Sequence, residues 1–264
     1  MKRIGNLYEK VCSIENLQLA DEKARKGKLR TYGVIEHDKK REVNLLKLRE
    51  TLLNGTFHTS KYDVFTIYEP KEREIYRLPY FPDRILHHAI MNVLEPIWVS
   101  TFTADTYSCI KNRGIHAAAK KVKQALREDP EGTTFCLKLD IRKFYPSINH
   151  DVLKSILRRK LKDKRQLRLL DEIIDSADGV PIGNYLSQYF ANLYLTYFDH
   201  WIKEQKRVKH YFRYADDIVI LASDKSYLHS LMGEIRAYLG DLKLEVKGNW
   251  QVFPVAARGI DFVG

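Results

Sequence analysis

Two hydrophobic periods alternate along the chain. In the first fifty residues apolar side chains recur three and four apart, in ENLQLADEKARKGK and again in HDKKREVNLLKLRETLLNG, and predict charge-rich amphipathic helices. Asn54-Gly55 closes the second segment as a C-terminal cap and turn. From Lys61 to Tyr80 the texture becomes alternating and aromatic, in YDVFTIYEP and REIYRLPYF, which predicts a β-hairpin. A helix is expected from Pro82 through DRILHHAIMNVLEPIW, with Ile85, Ala89 and Val93 as its apolar stripe. A polar loop, DTYSCIKNRGIH, leads into the basic amphipathic helix IHAAAKKVKQALRE, which Asp129-Pro130 ends. TFCLKLD then reads as a strand, with Phe135, Leu137 and Leu139 on one face and Cys136, Lys138 and Asp140 on the other. Further on, Gly183 opens a long helix whose stripe is Leu186, Phe190, Leu193 and Tyr197. HYFRYADDIVILAS reads as two apolar half-strands around a tight Ala-Asp-Asp turn. No internal repeat or low-complexity linker interrupts these elements, so one compact α+β body is expected.

With 264 residues, 44% of them hydrophobic and 11% aromatic, the chain can bury one sizeable core or two sub-cores sharing a seam. Its 45 Lys+Arg against 34 Asp+Glu leave a net charge of +11, which makes a polyanion such as nucleic acid the first partner to consider. No stretch approaches the ~20 continuous apolar residues of a spanning helix. MKRIGNLYEKVCS lacks the apolar run of a secretory signal, so a cytoplasmic protein without a membrane partner is expected. Cys12, Cys109 and Cys136 are far apart and show no C-x-x-C spacing, as suits core thiols rather than a zinc site or a disulfide framework. His87 and His88, being adjacent, do not share a helical face and read as helix residues rather than ligands.

Taken alone, Asp140 reads first as a residue that turns the chain after a buried strand. The Ala-Asp-Asp turn is harder to explain that way. Hairpin tips favour Gly and Asn, whereas adjacent aspartates repel by ~1 kcal/mol in water and ~4 kcal/mol at intermediate dielectric. A divalent cation removes that repulsion. Two-metal phosphoryl transfer uses carboxylates that bridge ions ~3.5–4 Å apart, one activating a 3′-hydroxyl and the other holding the triphosphate and leaving pyrophosphate. Hard Mg²⁺ prefers the carboxylate, water and phosphate oxygens on offer. Asp140 and Asp216 are distant in sequence, and adjacent antiparallel strands would bring them together. Between them Gln188 and Asn192, four apart, share a helix face whose polar groups are free to meet a base pair or template backbone.

In order along the chain, EPKEREIYRLPYFPDR, KNRGIH, LKLDIRKFYPSI, VPIGNYLSQ, RYADDIVIL, GDLKLEVKGNWQVFPV and GIDFVG resemble the successive fingers and palm motifs of reverse transcriptases. The resemblance implies an α+β right-hand polymerase fold with an antiparallel palm sheet backed by helices. It places the fingers, N-terminal helices and basic hairpin, over 1–134 and the palm over 135–264, with a helical insertion at 150–180 packing with the fingers. It implies an RNA-directed DNA polymerase that takes an RNA template, a DNA primer and deoxynucleoside triphosphates. Two Mg²⁺ ions would be held by Asp140, Asp216, Asp217 and the backbone carbonyl of Ile141. Tyr145 falls where the family has an aromatic ring that blocks a ribose 2′-hydroxyl. Lys71, Arg73 and Arg77 match the basic fingers residues that clamp the triphosphate, without distinguishing which of the three does so. Ile182, Gly183 and Gln188 match the nucleotide-side positions of the helix between the two carboxylates. Lys247 matches the general acid that protonates pyrophosphate.

Many reverse transcriptases carry Gln-Gly where this chain reads Ile182-Gly183. That variant, with GNLYEKVCSIENLQLADEKARKGK, NWQVFPV and GIDFVG, resembles the reverse transcriptases of diversity-generating retroelements. Such enzymes copy a template RNA with frequent errors opposite adenine, beside a small basic accessory variability protein. Another bacterial reverse transcriptase, of intron, retron or phage-defence type, is the enzymatic alternative, and a non-catalytic RNA-binding remnant is the alternative of another class. The family continues past a Phe-x-Gly-Tyr motif into a helical thumb, whereas this sequence stops at Gly264. The thumb is therefore expected to be missing and the chain to be a fragment or truncated gene product. KKVKQ and LKSILRRKLKDKRQLR either supply some electrostatic grip on nucleic acid or are solvated helix faces.

Overall fold

A computed structural model describes residues 3–68 and 72–262 of the chain. It divides into two units, Met1–Ser100 with Leu153–Phe190 and Thr101–Val152 with Ala191–Gly264.

In the first unit the N-terminal periodicity becomes helices at Ile14–Ala24 and Arg41–Asn54. The Ser13 hydroxyl caps the former by accepting from the Asn16 N–H. Gly55 ends the latter at φ +67°, so the N–H groups of Gly55 and Thr56 reach back to the carbonyls of Leu52 and Thr51. The helix Ile85–Val99 packs against Ile14–Ala24. Its buried surface is wider than the expected stripe: Leu86, Ile90, Met91 and Leu94 join Ile85 and Ala89, while Val93 is only half-buried. A helix enclosed this way does not need a polar face. Buried Asp21 accepts from Arg25, Arg41 and the Tyr80 hydroxyl. Burial alone would raise its carboxyl, but these donors together with His37 hold it well below the ordinary range. The expected hairpin forms from β1 (Asp63–Ile67) and β2 (Arg73–Arg77), in antiparallel register from Asp63↔Arg77 to Ile67↔Arg73.

The second unit is built on five strands: β3 (Thr106–Tyr107), β4 (Phe135–Asp140), β5 (His210–Tyr214), β6 (Asp217–Ala222) and β7 (Gln251–Pro254). They lie in the order β3-β5-β6-β4-β7, antiparallel except that β3 runs parallel to β5. On one side Cys136, Phe212, Val219 and Leu221 pack with Ala118, Val122 and Ala125 of the helix Ile115–Glu128. The alternate residues Leu137, Leu139, Ile218 and Ile220 are buried too, and the helix Lys225–Asp241 packs against β4, β6 and β7. Each such aliphatic side chain contributes about 1.5–3 kcal/mol relative to exposure, which is why the central strands read as nearly continuous apolar runs. Residues 101–134, assigned to the fingers from sequence, belong to this unit, because β3 extends its sheet and Ile115–Glu128 packs on that sheet. A two-residue strand has too little periodicity to be seen in advance. No described helix is long and apolar enough to cross a membrane.

Candidate active site

At the end of β4 the backbone N–H of Lys247 donates to the Asp140 carbonyl at 2.9 Å, and Ile141 bridges to Val246. Beside this end, β5 and β6 meet in a tight turn. Ala215 has φ +52° there, a left-handed conformation that costs a non-glycine residue ~1–2 kcal/mol. The sheet register sets Asp217 opposite Asp140, and the Ile141 N–H donates to the Asp216 carbonyl at 3.3 Å. Asp140, Ile141, Asp216 and Asp217 thus meet at one end of the sheet, as adjacent antiparallel strands allow.

The electrostatics single out two of the carboxylates. Burial, and next the negative charge of Asp140, pushes the Asp216 carboxyl from its ordinary 3.8 up to about 6. Lys247 offsets part of that repulsion, its Nζ lying 2.8 Å from Asp140 Oδ2. Asp140 Oδ1 is buried and has no hydrogen-bond donor among the described residues. Two crowded carboxylates with an orphaned oxygen fit a hard divalent cation, which takes one or two carboxylates and completes its shell with carbonyl, water and phosphate oxygens. Among the described residues no cluster of three or more His, Cys, Asp or Glu forms a cage, and Asp217 does not make one with Asp140 and Asp216.

The raised Asp216 carboxyl has a measurable consequence. Between about pH 4 and 6 the unfolded chain has released this proton while the folded chain still holds it, so folding stability of the metal-free protein falls as pH rises through that window. The expected loss is on the order of 3 kcal/mol. Asp216→Asn is expected to remove that slope in urea titrations taken from pH 4 to 6. Added Mg²⁺ at pH 7.5 is expected to raise the melting temperature of the wild type and not of this variant. An unchanged slope, or equal responses to Mg²⁺, would contradict the carboxylate assignment.

A second, buried layer holds the turn. Arg213 is fully buried and donates to Asp199 through Nε at 2.7 Å and Nη2 at 2.6 Å. Its Nη1 donates to the Ala215 carbonyl at 2.9 Å and to Asn192 Oδ1 at 3.2 Å. Asp199 also accepts from the hydroxyls of Tyr211 and Thr106, and Asn192 donates to the Ser108 carbonyl. Asn192 is therefore committed inside the unit rather than free to meet a template, because a buried guanidinium and a buried carbonyl both require partners. Arg213 and Asp199 were not singled out from sequence. The signal was available in an arginine within the apolar strand HYFRY and an aspartate within the apolar helix LTYFDHW.

Tyr145 sits on the short helix Phe144–Ser147, where burial and then the charges of Cys109 and Asp216 raise its hydroxyl pKa. The remaining expected positions lie in the first unit. Arg73 and Arg77 end β2 and are exposed, Arg77 pairing with Asp63. Lys71 lies outside the described residues. Gly183 stands at φ +119°, and a Cβ there would come within 2.6 Å of the Tyr76 carbonyl. The Tyr76 N–H donates to the Ile182 carbonyl at 2.8 Å, so Ile182 and Gly183 are seated directly on β2. The helix itself begins at Tyr185 rather than Gly183, carries Gln188 exposed, and stops at Tyr194.

The sequence model described as reverse transcriptase (RNA-dependent DNA polymerase) matches residues 69–264. This chain belongs to the reverse transcriptase family. In sequence this reverse transcriptase is 26% identical to protein YkfC of Escherichia coli K12 over 84% of this chain and 70% of that protein. It is 23% identical to the group II intron-encoded protein LtrA of Lactococcus lactis over 67% of this chain and 31% of that protein. The fold is shared with apo telomerase from Candida tropicalis, with a TM-score of 0.56 at 13% identity, across 78% of this chain and 47% of that one. The chain thus spans under a third of LtrA and about half of the telomerase chain.

Proposed function

We propose that this reverse transcriptase is the error-prone, RNA-directed DNA polymerase of a diversity-generating retroelement, working in the cytoplasm on an RNA template and a DNA primer. The observation that carries the polymerase part is the pair Asp140 and Asp216, crowded at one end of the sheet with Lys247 2.8 Å from Asp140. When bound, two Mg²⁺ ions supply Lewis-acid activation of the primer 3′-hydroxyl and neutralise the triphosphate and the leaving pyrophosphate. Asp140 and Asp216 would hold them, with Asp217 and the Ile141 carbonyl alongside. Lys247 hands a proton to the pyrophosphate. The Tyr145 ring closes off the space of a ribose 2′-hydroxyl, and Lys71, Arg73 and Arg77 supply the positive charge for the triphosphate. Primer extension on an RNA template, with Asp216→Ala as the comparison, tests this reading. If both proteins incorporate equally or neither does, the catalytic reading fails, and RNA binding with a steep salt slope and no Mg²⁺-dependent incorporation is what the RNA-binding-remnant reading predicts.

The diversity-generating part rests on Ile182-Gly183 and on the N- and C-terminal motifs that accompany it. Seated on β2, Ile182 would meet the templating pair with an apolar side chain, and losing an amide there loosens discrimination that amounts to a few kcal/mol at most. Ile182→Gln is expected to lower misincorporation opposite adenine several-fold in a single-nucleotide extension assay. An unchanged error rate would remove Ile182 from the explanation. A small basic accessory protein and Gln188 contacts to the template pair belong to the same proposal. The likeness to LtrA favours an intron-type enzyme as the second reading. A template repeat and variable repeat beside the gene distinguish the two.

A further inference from the structure

Within the first unit, a groove of about 580 Å³ opens beside the base of the hairpin and is lined by Lys28, Tyr32, Arg77, Phe81 and Arg84 among others. A smaller cavity of about 190 Å³ shares Lys28, Arg77 and Arg84 and continues to Tyr76 and Tyr185. The charges around this groove do not balance. Arg77 already pairs with Asp63. Glu36, the one acid lining the larger groove among the described residues, pairs with Lys39 at 2.6 Å. Asp83, next to Arg84 in sequence, accepts from the Ser60 N–H through Oδ1 alone, its Oδ2 being buried without a donor among the described residues, and it lines neither cavity. Lys28 and Arg84 are left facing the same space, and among the described residues neither side chain has an ion pair or hydrogen bond. The Arg84 Nε is buried without an acceptor.

Two cations held together without a counter-charge repel, and a half-buried guanidinium with an unmet donor is costly. The repulsion registers on Lys28, whose ammonium is held below its ordinary value first by the charge of Arg84 and then by burial. Beside the pair, the Tyr32 ring is 79% exposed, far more than a ring of its size needs for packing. A cation pair that wants an oxyanion, next to a free aromatic face, matches one nucleotide of a single strand: phosphate on the cations and base on the ring.

We propose that Lys28 and Arg84 form a binding site for a backbone phosphodiester of single-stranded RNA, with Tyr32 stacking on a base of the same strand. The site needs neither Asp140 nor Asp216, and it rests on the reading of the chain as a protein that works on RNA. A nucleotide triphosphate offers the same oxyanion chemistry, so the test must separate the two sources.

The probe is a fluorescent twelve-nucleotide single-stranded RNA titrated in EDTA against the full chain, with dGTP binding measured alongside. Lys28→Glu is expected to weaken RNA binding at least tenfold while leaving dGTP affinity unchanged. The slope of log K against log salt is expected to fall by about 0.7, because Lys28 is lost and Arg84 becomes occupied by the new carboxylate, so the one phosphodiester they hold together is no longer neutralised, at ~0.7 per phosphate contact on a single strand. The same variant is expected to melt at or above the wild-type temperature, since it replaces a repulsion with an ion pair. Tyr32→Ala is expected to weaken binding several-fold with little change in slope. Unchanged RNA affinity for Lys28→Glu overturns the proposal, as does a selective loss of dGTP binding. A melting temperature below that of the wild type overturns the uncompensated-charge argument beneath it. Asp216→Ala is expected to bind the RNA as the wild type does, so a failure of polymerisation and a failure of this site give different patterns.

Discussion

Asp216→Ala is expected to lower Mg²⁺-dependent nucleotide incorporation by at least about 10³-fold, ~4 kcal/mol of transition-state stabilisation, with the fold intact. The magnitude follows from what the side chain does. It is one of the carboxylates that the sheet end forces together, and removing it leaves Asp140 paired with Lys247, with Asp217 opposite in the register. The Asp140–Lys247 pair is nearly neutral, so the site's attraction for a divalent cation is expected to be much reduced. Relieved of a carboxyl raised by burial and by Asp140, the variant is expected to be no less stable than the wild type at neutral pH. Single-turnover extension from a DNA primer on an RNA template, paired with thermal melting, measures both halves. Substantial incorporation by a folded Asp216→Ala protein would remove this residue from the catalytic site. Asp140→Ala is expected to match it in incorporation, and to release Lys247 as well.

The second large effect concerns a residue that touches no substrate. Arg213→Met is expected to cost about 3–5 kcal/mol of stability, because it strands the fully buried Asp199 carboxylate without its charge partner. Incorporation is expected to fall more than the loss of folded protein explains, since the Ala215 carbonyl and its left-handed turn lose the donor that holds them. The double variant Arg213→Met with Asp199→Met separates the two roles. It no longer buries a lone charge and is expected to regain part of the stability, though the Tyr211 and Thr106 hydroxyls lose their acceptor. Incorporation is not expected to return with it. If activity recovers in step with stability, Arg213 is a packing element and not a positioning residue for Asp216.

The sequence by itself determined the elements that repeat over several turns or alternations and the residues that stand at their ends. The hairpin at β1 and β2, the strand ending at Asp140, the turn carrying Asp216 and the Gly55 cap were all legible, because each is set by period, turn chemistry or a residue type needed at one position. What the tertiary structure alone decided are the pairings between distant segments. The β4–β6 register that brings Asp140 to Asp217 and the neighbouring turn, and the seat of Gly183 on Tyr76, depend on which strands and loops become neighbours. So do the inclusion of β3 in the sheet, the burial of Asn192 and the Arg213–Asp199 pair behind the turn. A polar residue in an amphipathic segment looks the same in sequence whether it faces solvent or a buried partner, and only the packing of the chain against itself tells which.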